Sequence, residues 1–308
     1  MLGPVLLAAA GSDRIRRLVS SASLTRPVVD RFIAGDQVSD ALDTTRTLLD
    51  QGMTVTLDRL GESVTDPAQA VRNRDGYLEL LDELTGHGLA ERAELSVKLS
   101  AFGQALPDGH DIARRHVERV VAAATEAGTA VTLDMEDHRT VDSTLAIHRE
   151  LRRAYPRTGA VLQSYLFRSE NDCRELAEAG ARVRLVKGAY REPASVAYQR
   201  RSEVDLAYVR CLRLLMAGGG YPMVGTHDPR LVTVAEELAK REGRAFDAYE
   251  YQMLFGIRDA EQRRLTALGH RVRVYVPYGD DWYGYFMRRL AERPANLTFF
   301  ARSLATRG

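Results

Sequence analysis

GMTVTLDRLG, residues 52–61, is a short stretch rich in valine and threonine, and this pattern predicts a β-strand. The first fifty residues show helical spacing of apolar side chains and contain no strand-like segment. More segments of the strand type follow at residues 94–101, 130–137, 160–166, 182–190, 222–228, 246–254 and 271–279. The sequence therefore predicts eight short strands in the rest of the chain.

Segments with helical spacing separate these strands, as in HDIARRHVERVVAAATEAG at residues 110–128. Strands that alternate with helices pair in parallel through right-handed crossovers. Eight such units over about 250 residues match an α/β fold of the (βα)8 TIM-barrel type. An open doubly wound sheet is the alternative, but no GxGxxG phosphate loop follows the first strand. We expect a helical segment of residues 1–50 packed on a barrel of residues 51–308, within a single domain.

The composition is that of a soluble globular protein, with 45% hydrophobic and 28% charged residues among 308. The 43 basic and 42 acidic residues nearly cancel, which argues against a nucleic-acid-binding function. Cys173 and Cys211 are the only cysteines and make no disulfide framework, so a cytoplasmic location is the simplest. No apolar run approaches the roughly 18 residues of a membrane-spanning helix.

Polar side chains stand near the ends of most predicted strands, where barrel enzymes place their active sites. They include Lys98, Asp134, Gln163, Arg184, Lys187, Tyr190, Thr226, His227, Glu250, Gln252, Tyr275 and Tyr278. Each has an ordinary structural alternative: Lys98 and Asp134 could form a buried ion pair, His227 could cap a helix, and Arg184 could point outward. Burying so many polar groups is costly, however, and a purely structural barrel does not need them.

The last helix is predicted in DDWYGYFMRRLAERP, residues 280–294, between an N-cap aspartate and a proline stop. One face carries the apolar residues Tyr283, Phe286, Met287 and Leu290, and the opposite face carries Tyr285, Arg288, Arg289 and Glu292. A solvated face is the ordinary interpretation of two adjacent arginines. We expect instead that this helix lies over the barrel mouth.

Cationic and aromatic side chains at such a mouth suit an anionic, partly apolar ligand. Lysine and arginine account for five of the candidate residues, and arginine binds carboxylate or phosphate in bidentate fashion. The tyrosines provide flat apolar walls with a polar tip. No GxSxG nucleophile and no HExxH or HxH metal spacing is present, so no metal is expected. Chemistry without a protein nucleophile or metal indicates a bound organic cofactor.

Seven ordered motifs resemble the proline dehydrogenase domain from about residue 45 to about residue 300: SVKLSAF, LDMED, LQSY, RLVKGAY, GTHD, YEYQMLFG and VYVPYGDDWYGYFMRRLAERPAN. The length resembles that of the monofunctional bacterial form, without a fused aldehyde dehydrogenase domain. The resemblance implies an FAD-dependent oxidoreductase that converts L-proline to 1-pyrroline-5-carboxylate, the first step of proline catabolism. It also implies a quinone electron acceptor, so that any membrane contact would be peripheral, at the inner face of the membrane.

The resemblance further implies roles for individual residues. The proline-binding residues would be Lys98, Leu254, Tyr275, Tyr285, Arg288, Arg289 and Glu292, with Glu292 orienting the arginine pair. The residues of the reaction centre would be Asp134 and Arg184. The FAD-binding residues would be Met135, Gln163, Lys187, Gly188, Ala189, Tyr190, Thr226 and His227. The bulk of Tyr285 would favour proline over hydroxyproline.

One departure from the family pattern and two alternative functions remain open. Arg191 follows Tyr190 where the large bifunctional members have tryptophan, so the adenine end of FAD could be held differently. A barrel lysine, Lys98 or Lys187, could instead serve a Schiff-base aldolase. A non-catalytic anion-binding barrel is the other alternative.

Overall fold

A closed barrel of eight parallel strands in sequence order forms the centre of the computed structural model, which describes residues 29–61 and 64–292. The strands are β1 (Thr54–Arg59), β2 (Ala93–Val97), β3 (Val131–Leu133), β4 (Gly159–Gln163), β5 (Arg182–Val186), β6 (Tyr221–Gly225), β7 (Glu250–Leu254) and β8 (Val272–Tyr278). β1 pairs with β8 and closes the sheet. The predicted (βα)8 barrel is therefore confirmed, and no open sheet edge remains.

Helices alternate with the strands on the outside of the barrel. They are α1 (Val38–Asp50), α2 (Pro67–Gly86), α3 (Gly109–Glu126), α4 (Val141–Ala154), α5 (Ser169–Glu178), α6 (Arg201–Ala217), α7 (Pro229–Arg241), α8 (Asp259–Ala267) and α9 (Tyr283–Glu292). Short 3-10 helices at Ala90–Arg92 and Leu99–Phe102 flank β2. None of these helices is long and apolar enough to cross a bilayer within the described part of the chain. Residues 1–28 of the predicted N-terminal helical segment lie outside the described residues.

The start of α7 shows how local sequence places a helix beside a strand end. The Asp228 side chain accepts a hydrogen bond from the Arg230 N–H, and Pro229 occupies the first turn. An N-cap carboxylate and an N-terminal proline satisfy backbone donors that would otherwise lack partners. Helix α7 therefore begins directly after β6, and Thr226 and His227 lie in the short connection between them.

The apolar core lies between the strands and the helices, whereas the barrel interior is polar. Val55 and Leu57 of β1 belong to the large apolar cluster, and Thr56 and Asp58 alternate with them yet are also buried. Because side chains alternate along a strand, the second pair faces the interior. The polar alternation in the sequence therefore marks an interior lined by hydrogen-bonding groups.

Buried ion pairs cross the lower half of the interior, at the N-terminal ends of the strands. Glu94 of β2 lies 2.8 Å from Arg182 of β5 and 3.6 Å from Arg273 of β8, and Arg273 also lies 2.8 Å from Glu250. Burial alone would raise the pKa of Glu94, but the neighbouring guanidinium groups outweigh it and lower that pKa. A polar cavity of about 510 Å³ opens below these pairs. Because two carboxylates face two guanidinium groups, the net charge of this part of the barrel interior is close to zero.

Helix α9 is held at the opposite end of the barrel by a second, smaller apolar cluster. Its residues Tyr283, Phe286 and Met287 are buried, as predicted for its apolar face, whereas the side chain of Leu290 lies outside the described residues. Tyr285, predicted on the opposite face, also belongs to this cluster. Their neighbours in the cluster come from the segment before α1 and from the loops after β1, β7 and β8: Val29, Phe32, Ile33, Leu60, Ile257 and Trp282. The cluster therefore fixes α9 over the carboxyl ends of the strands.

We predict that His148 makes the stability of the fold sensitive to mild acid. Its ring is fully buried in α4, its Nε2 donates to the Thr158 carbonyl at 3.2 Å, and burial lowers its pKa to about 4. The unfolded chain binds this proton near pH 6.5 and the folded chain only near pH 4, so stability is lost as the pH falls through that window. Between pH 7 and pH 5 the loss is about 2 kcal/mol.

Urea unfolding of His148→Gln at the two pH values tests this. The variant should lose less stability on acidification than the parent protein does. His87→Gln, a change at an exposed position, is the matched control and should leave the pH dependence unchanged. An equal loss in the parent protein and in His148→Gln would contradict the prediction.

Candidate active site

A cavity of about 1040 Å³ opens at the carboxyl ends of the strands, beneath α9. Of the polar strand residues predicted from sequence without a family role, Gln252 lines the cavity, whereas Glu250 and Tyr278 do not. Sixteen of the seventeen residues to which the family resemblance assigned roles also line it: Lys98, Asp134, Met135, Gln163, Arg184, Lys187, Gly188, Ala189, Tyr190, Thr226, His227, Leu254, Tyr275, Tyr285, Arg288 and Arg289. The remaining one, Glu292, ends α9, and its side chain lies outside the described residues. The structure therefore brings together residues from seven strand ends and the final helix.

Asp134 is the hub of the cavity floor. Its Oδ1 accepts hydrogen bonds from Arg184 Nη1 at 2.7 Å and Ser96 Oγ at 2.9 Å, and its Oδ2 accepts one from the Tyr275 hydroxyl at 2.8 Å. Burial, together with the charge of Asp134, raises the pKa of Tyr275 well above its usual value, so this phenol remains a donor. Arg184 is 4% exposed and points inward, which excludes its alternative as an outward-facing residue.

Lys98 is held chiefly by Asp58, a residue outside the set predicted from sequence. Lys98 Nζ lies 2.7 and 2.8 Å from the two Asp58 oxygens and 3.9 Å from Asp134 Oδ2. Burial raises the pKa of Asp58, and the charge of Lys98 opposes that rise. Asp58 ends the first strand, so the rule that selected polar residues on the other strands would have found it. The suggested Lys98–Asp134 ion pair is thus a secondary contact.

Lys187, one of the predicted cations at the cavity mouth, is paired with two carboxylates. Lys187 Nζ lies 2.6 Å from Asp205 and 3.1 Å from Asp228, and Arg230 bridges the same two carboxylates. Contacts with Arg230 and Lys187 lower the pKa of Asp228 despite its partial burial. Asp205 lies on α6, outside the predicted strand ends, whereas Asp228 is the last residue of the GTHD motif and caps α7. Among the described residues, the lining contains four carboxylates in all, those of Asp58, Asp134, Asp205 and Asp228, but it also gains Arg201, Arg230 and Arg258, so cations still outnumber carboxylates as the sequence suggested.

Gly188 gives the loop after β5 a close approach to the neighbouring strand end. Its φ is +117°, and a Cβ at this position would lie 2.4 to 2.5 Å from ring atoms of Tyr165. The Tyr165 hydroxyl donates to Gln163 Oε1 at 3.3 Å, and Gln163 Nε2 donates to the Glu136 carbonyl at 2.7 Å. Only glycine fits this position, and the Gln163 amide beside it has a fixed orientation.

His227 is not the helix cap that one alternative proposed, since Asp228 caps α7. The Leu254 backbone N–H donates to His227 Nε2 at 2.9 Å. An accepting Nε2 places the ring proton on Nδ1 when the imidazole is neutral. His227 therefore joins the β6 and β7 ends at the cavity wall.

Arg288 and Arg289 enter the cavity from α9 together with Tyr285. Arg289 is 9% exposed, and its guanidinium lies 5.0 Å from the centre of the Tyr285 ring, in cation–π contact. A solvated face, the ordinary interpretation of this arginine pair, does not describe Arg289. The two guanidinium groups lie on the same side of the helix axis as the cavity, opposite its apolar face.

Comparison with known families matches residues 41–302 to the proline dehydrogenase family model. The chain belongs to the proline dehydrogenase family. It is 39% identical over 280 residues to the proline dehydrogenase of Deinococcus radiodurans, a match that covers 90% of each chain. It is also 36% identical to proline dehydrogenase 1 of Bacillus subtilis, over 91% of each chain.

A solved structure also resembles this chain. It is proline utilization A (PutA) from Bdellovibrio bacteriovorus inactivated by N-propargylglycine, with a TM-score of 0.81 and 25% sequence identity. The match covers 93% of this chain and 36% of that chain, so the present protein corresponds to about a third of it. The similarity extends over nearly the whole barrel.

Proline dehydrogenases are flavin enzymes, and the cavity fits such a group. Its volume lies at the upper end of the roughly 300–1,000 Å³ typical of ligand pockets. Arg184 Nη2 is buried and has no hydrogen-bond partner among the described residues, as expected of a nitrogen that contacts a ligand. Within the same residues, no group of three or more histidine, cysteine or acidic side chains could hold a metal ion.

We predict that Asp58 and Lys98 are energetically coupled. Asp58→Asn should lower the free energy of unfolding by about 3 kcal/mol, because it leaves a buried ammonium without its closest counter-charge. The double variant Asp58→Asn/Lys98→Met should lose less than the sum of the two single changes. Urea unfolding of the four proteins measures the coupling.

The matched control is Asp43→Asn, which breaks the exposed contact between Asp43 and Arg46 on α1 and should hardly change stability. Additive effects of the Asp58 and Lys98 substitutions would show that the pair is not coupled.

Proposed function

We propose that this protein oxidises L-proline to 1-pyrroline-5-carboxylate, with FAD as the hydride acceptor and a quinone as the onward electron acceptor. The observation that carries the proposal is membership of the proline dehydrogenase family across residues 41–302. The arrangement of cationic and aromatic side chains around one cavity supports it. Peripheral contact with the inner face of the membrane is part of the same proposal, since a quinone is a membrane component.

The aldolase alternative is disfavoured by the surroundings of both candidate lysines. Lys98 contacts both oxygens of Asp58, and Lys187 contacts Asp205 and Asp228. Each ammonium group is thus held in ion pairs and is not presented to a carbonyl carbon. The relatives named as dehydrogenases likewise disfavour a non-catalytic barrel.

Proline would bind as a zwitterion with its carboxylate toward Arg288 and Arg289, and with Lys98 as a third cation. Bidentate guanidinium contacts fix orientation as well as affinity. Tyr275, Tyr285 and Leu254 would form the walls around the ring, and the bulk of Tyr285 would disfavour a 4-hydroxyl group. Glu292, at the end of α9, would orient the arginine pair.

Asp134 would position groups at the reaction centre and would not act as the base. Three donors already occupy its two oxygens, from Arg184, Ser96 and Tyr275. Three of its roughly four lone-pair positions are therefore directed to fixed partners, and it holds Arg184 and Tyr275 in place. The proline nitrogen would release its proton to solvent water before the neighbouring ring carbon could give up a hydride, and Asp134 would contribute by orientation.

FAD would supply the hydride acceptor. Gln163, Gly188 and Ala189 would hold it at the strand ends, together with Met135, Lys187, Tyr190, Thr226 and His227. These residues all line the cavity. Arg184 and Lys187 bring positive charge to the same space, and positive charge favours the electron-rich reduced state of a bound flavin.

The absorption spectrum of the purified protein is the direct test of the proposed function. We expect flavin bands that bleach when L-proline is added without an electron acceptor and return when a soluble quinone is supplied. Borohydride trapping with a carbonyl substrate should give no covalent adduct. A colourless protein that binds no added FAD would contradict the proposal.

We predict that Arg288→Met and Arg289→Met each raise KM for proline at least about tenfold, since each removes a charge-assisted contact to the carboxylate. The flavin content should stay unchanged, because neither residue is proposed to hold FAD. Steady-state kinetics and the absorbance ratio of flavin to protein measure the two effects.

Arg174→Met, at an exposed position on α5, is the matched control and should leave both quantities unchanged. Loss of FAD with proline affinity retained, in either α9 variant, would refute the assigned role.

A further inference from the structure

Arg184 reaches across the barrel interior to a residue two strands away. It lies on β5, whereas its Nε donates to Gln252 Oε1 on β7. The intervening strand β6 carries Gly225 beside Gln252 in the sheet register. A Cβ at Gly225 would lie 2.8 Å from the Leu185 carbonyl oxygen and 3.5 Å from Arg184 Cγ. Glycine at this position therefore avoids a clash with the backbone of β5 next to Arg184.

The orientation of the Gln252 amide is fixed by its second partner. Gln252 Nε2 donates to Glu250 Oε1 at 2.5 Å, and Arg273 Nε donates to the same oxygen at 2.8 Å. A carboxylate only accepts and a guanidinium only donates, so the amide oxygen must face Arg184. Gln252 is 4% exposed and Glu250 is 1% exposed, so water does not compete for these bonds. The ion pair of Glu250 and Arg273, near the N-terminal ends of the strands, thus sets the orientation of the Gln252 amide above it.

The Gln252 amide determines which guanidinium nitrogen of Arg184 is left available to bind a ligand. Nε is taken by Gln252, and Nη1 is taken by Asp134 at 2.7 Å and Ser96 at 3.0 Å. Nη2 is buried and finds no partner within the described part of the chain. With two of its three nitrogens held from opposite sides of the barrel, the guanidinium plane cannot rotate without breaking a buried hydrogen bond.

We propose that Gln252 is a positioning residue for the proline dehydrogenase reaction: backed by Glu250, it holds Arg184 so that Nη2 meets the bound flavin. The inference rests on the proposed function and names a residue outside the set carried by the family resemblance. A neutral amide suits this task because it accepts a hydrogen bond without adding a second carboxylate to Asp134, which already contacts Arg184 at 2.7 Å. The charge of Glu250 is opposed by Arg273, at 2.8 Å, and does not reach Arg184 uncompensated.

Gln252→Met and Gln252→Asn test the proposal in the FAD-loaded protein. Methionine keeps the volume and removes both hydrogen bonds, whereas asparagine keeps the amide and is too short to bridge Arg184 and Glu250. We expect kcat to fall roughly tenfold in both variants, because a supporting contact of a reacting group is lost. KM for proline should change less than about threefold, because the carboxylate-binding residues of α9 are separate from this network.

The midpoint potential of bound FAD is the readout that a purely structural role would not change. In both variants it should become more negative than in the parent protein, because the charge of Arg184 is no longer held in place. Gln104→Met is the matched control. It removes an amide that donates to Ser143 and Thr144 outside the barrel, and it should alter neither kcat nor the potential.

The outcomes are distinguishable from failure of the proposed function. If the parent protein does not bind FAD or is not reduced by proline, the proposed function itself fails. If the parent protein is active and a folded Gln252 variant keeps its kcat and its flavin potential, the positioning role is overturned. If neither variant folds, as judged by circular dichroism, Gln252 is a structural residue and the positioning role is overturned as well.

Discussion

Buried charges must be paired, and this requirement determines which side chains fill the barrel interior at both ends of the strands. Most inward-facing positions near Asp58, Glu94, Arg184 and Glu250 carry polar or charged side chains where a structural barrel would carry apolar ones. In a medium of low dielectric constant, an isolated charge is expensive, so each is placed within reach of an opposite charge from another strand. These contacts run between strands that are distant in sequence, and they therefore specify how the strand ends face one another.

The same pairing shapes the chemistry of the cavity. Lys98 is directed by Asp58, Lys187 by two carboxylates, and Arg184 by Asp134 on one side and Gln252 on the other. Cationic side chains held in this way act as oriented donors of fixed position, which is what a reaction between two bound molecules requires. The free-energy cost of burying each charge is offset by its paired partner inside the barrel. The cationic side chains are therefore already in position to bind a ligand.

The other half of the cavity depends on a different interaction. Helix α9 has no strand pairing to locate it, and its place is set by the small apolar cluster of Tyr283, Phe286 and Met287 with Leu60 and their neighbours. Burying that face turns Arg288, Arg289 and Tyr285 toward the barrel. The proposed proline site thus has two parts, which different interactions hold in place. Polar side chains at the strand ends form one side of the cavity, and Arg288 and Arg289 of α9 form the other.

The sequence by itself determined the eight strands, the alternation with helices and the apolar face of α9, because these follow from local periodicity. The family motifs likewise selected sixteen residues that line one cavity. Only the tertiary structure decided which charges meet. Asp58, Asp205 and Asp228 meet Lys98 or Lys187 on other elements, and the neutral Gln252 meets Arg184; these pairs are separated by 18 to 68 residues along the chain. Periodicity shows which way a side chain faces along its own strand or helix. Which side chains meet across a closed barrel depends instead on the register of the strands and on barrel closure, and residues that are distant in the chain set both together.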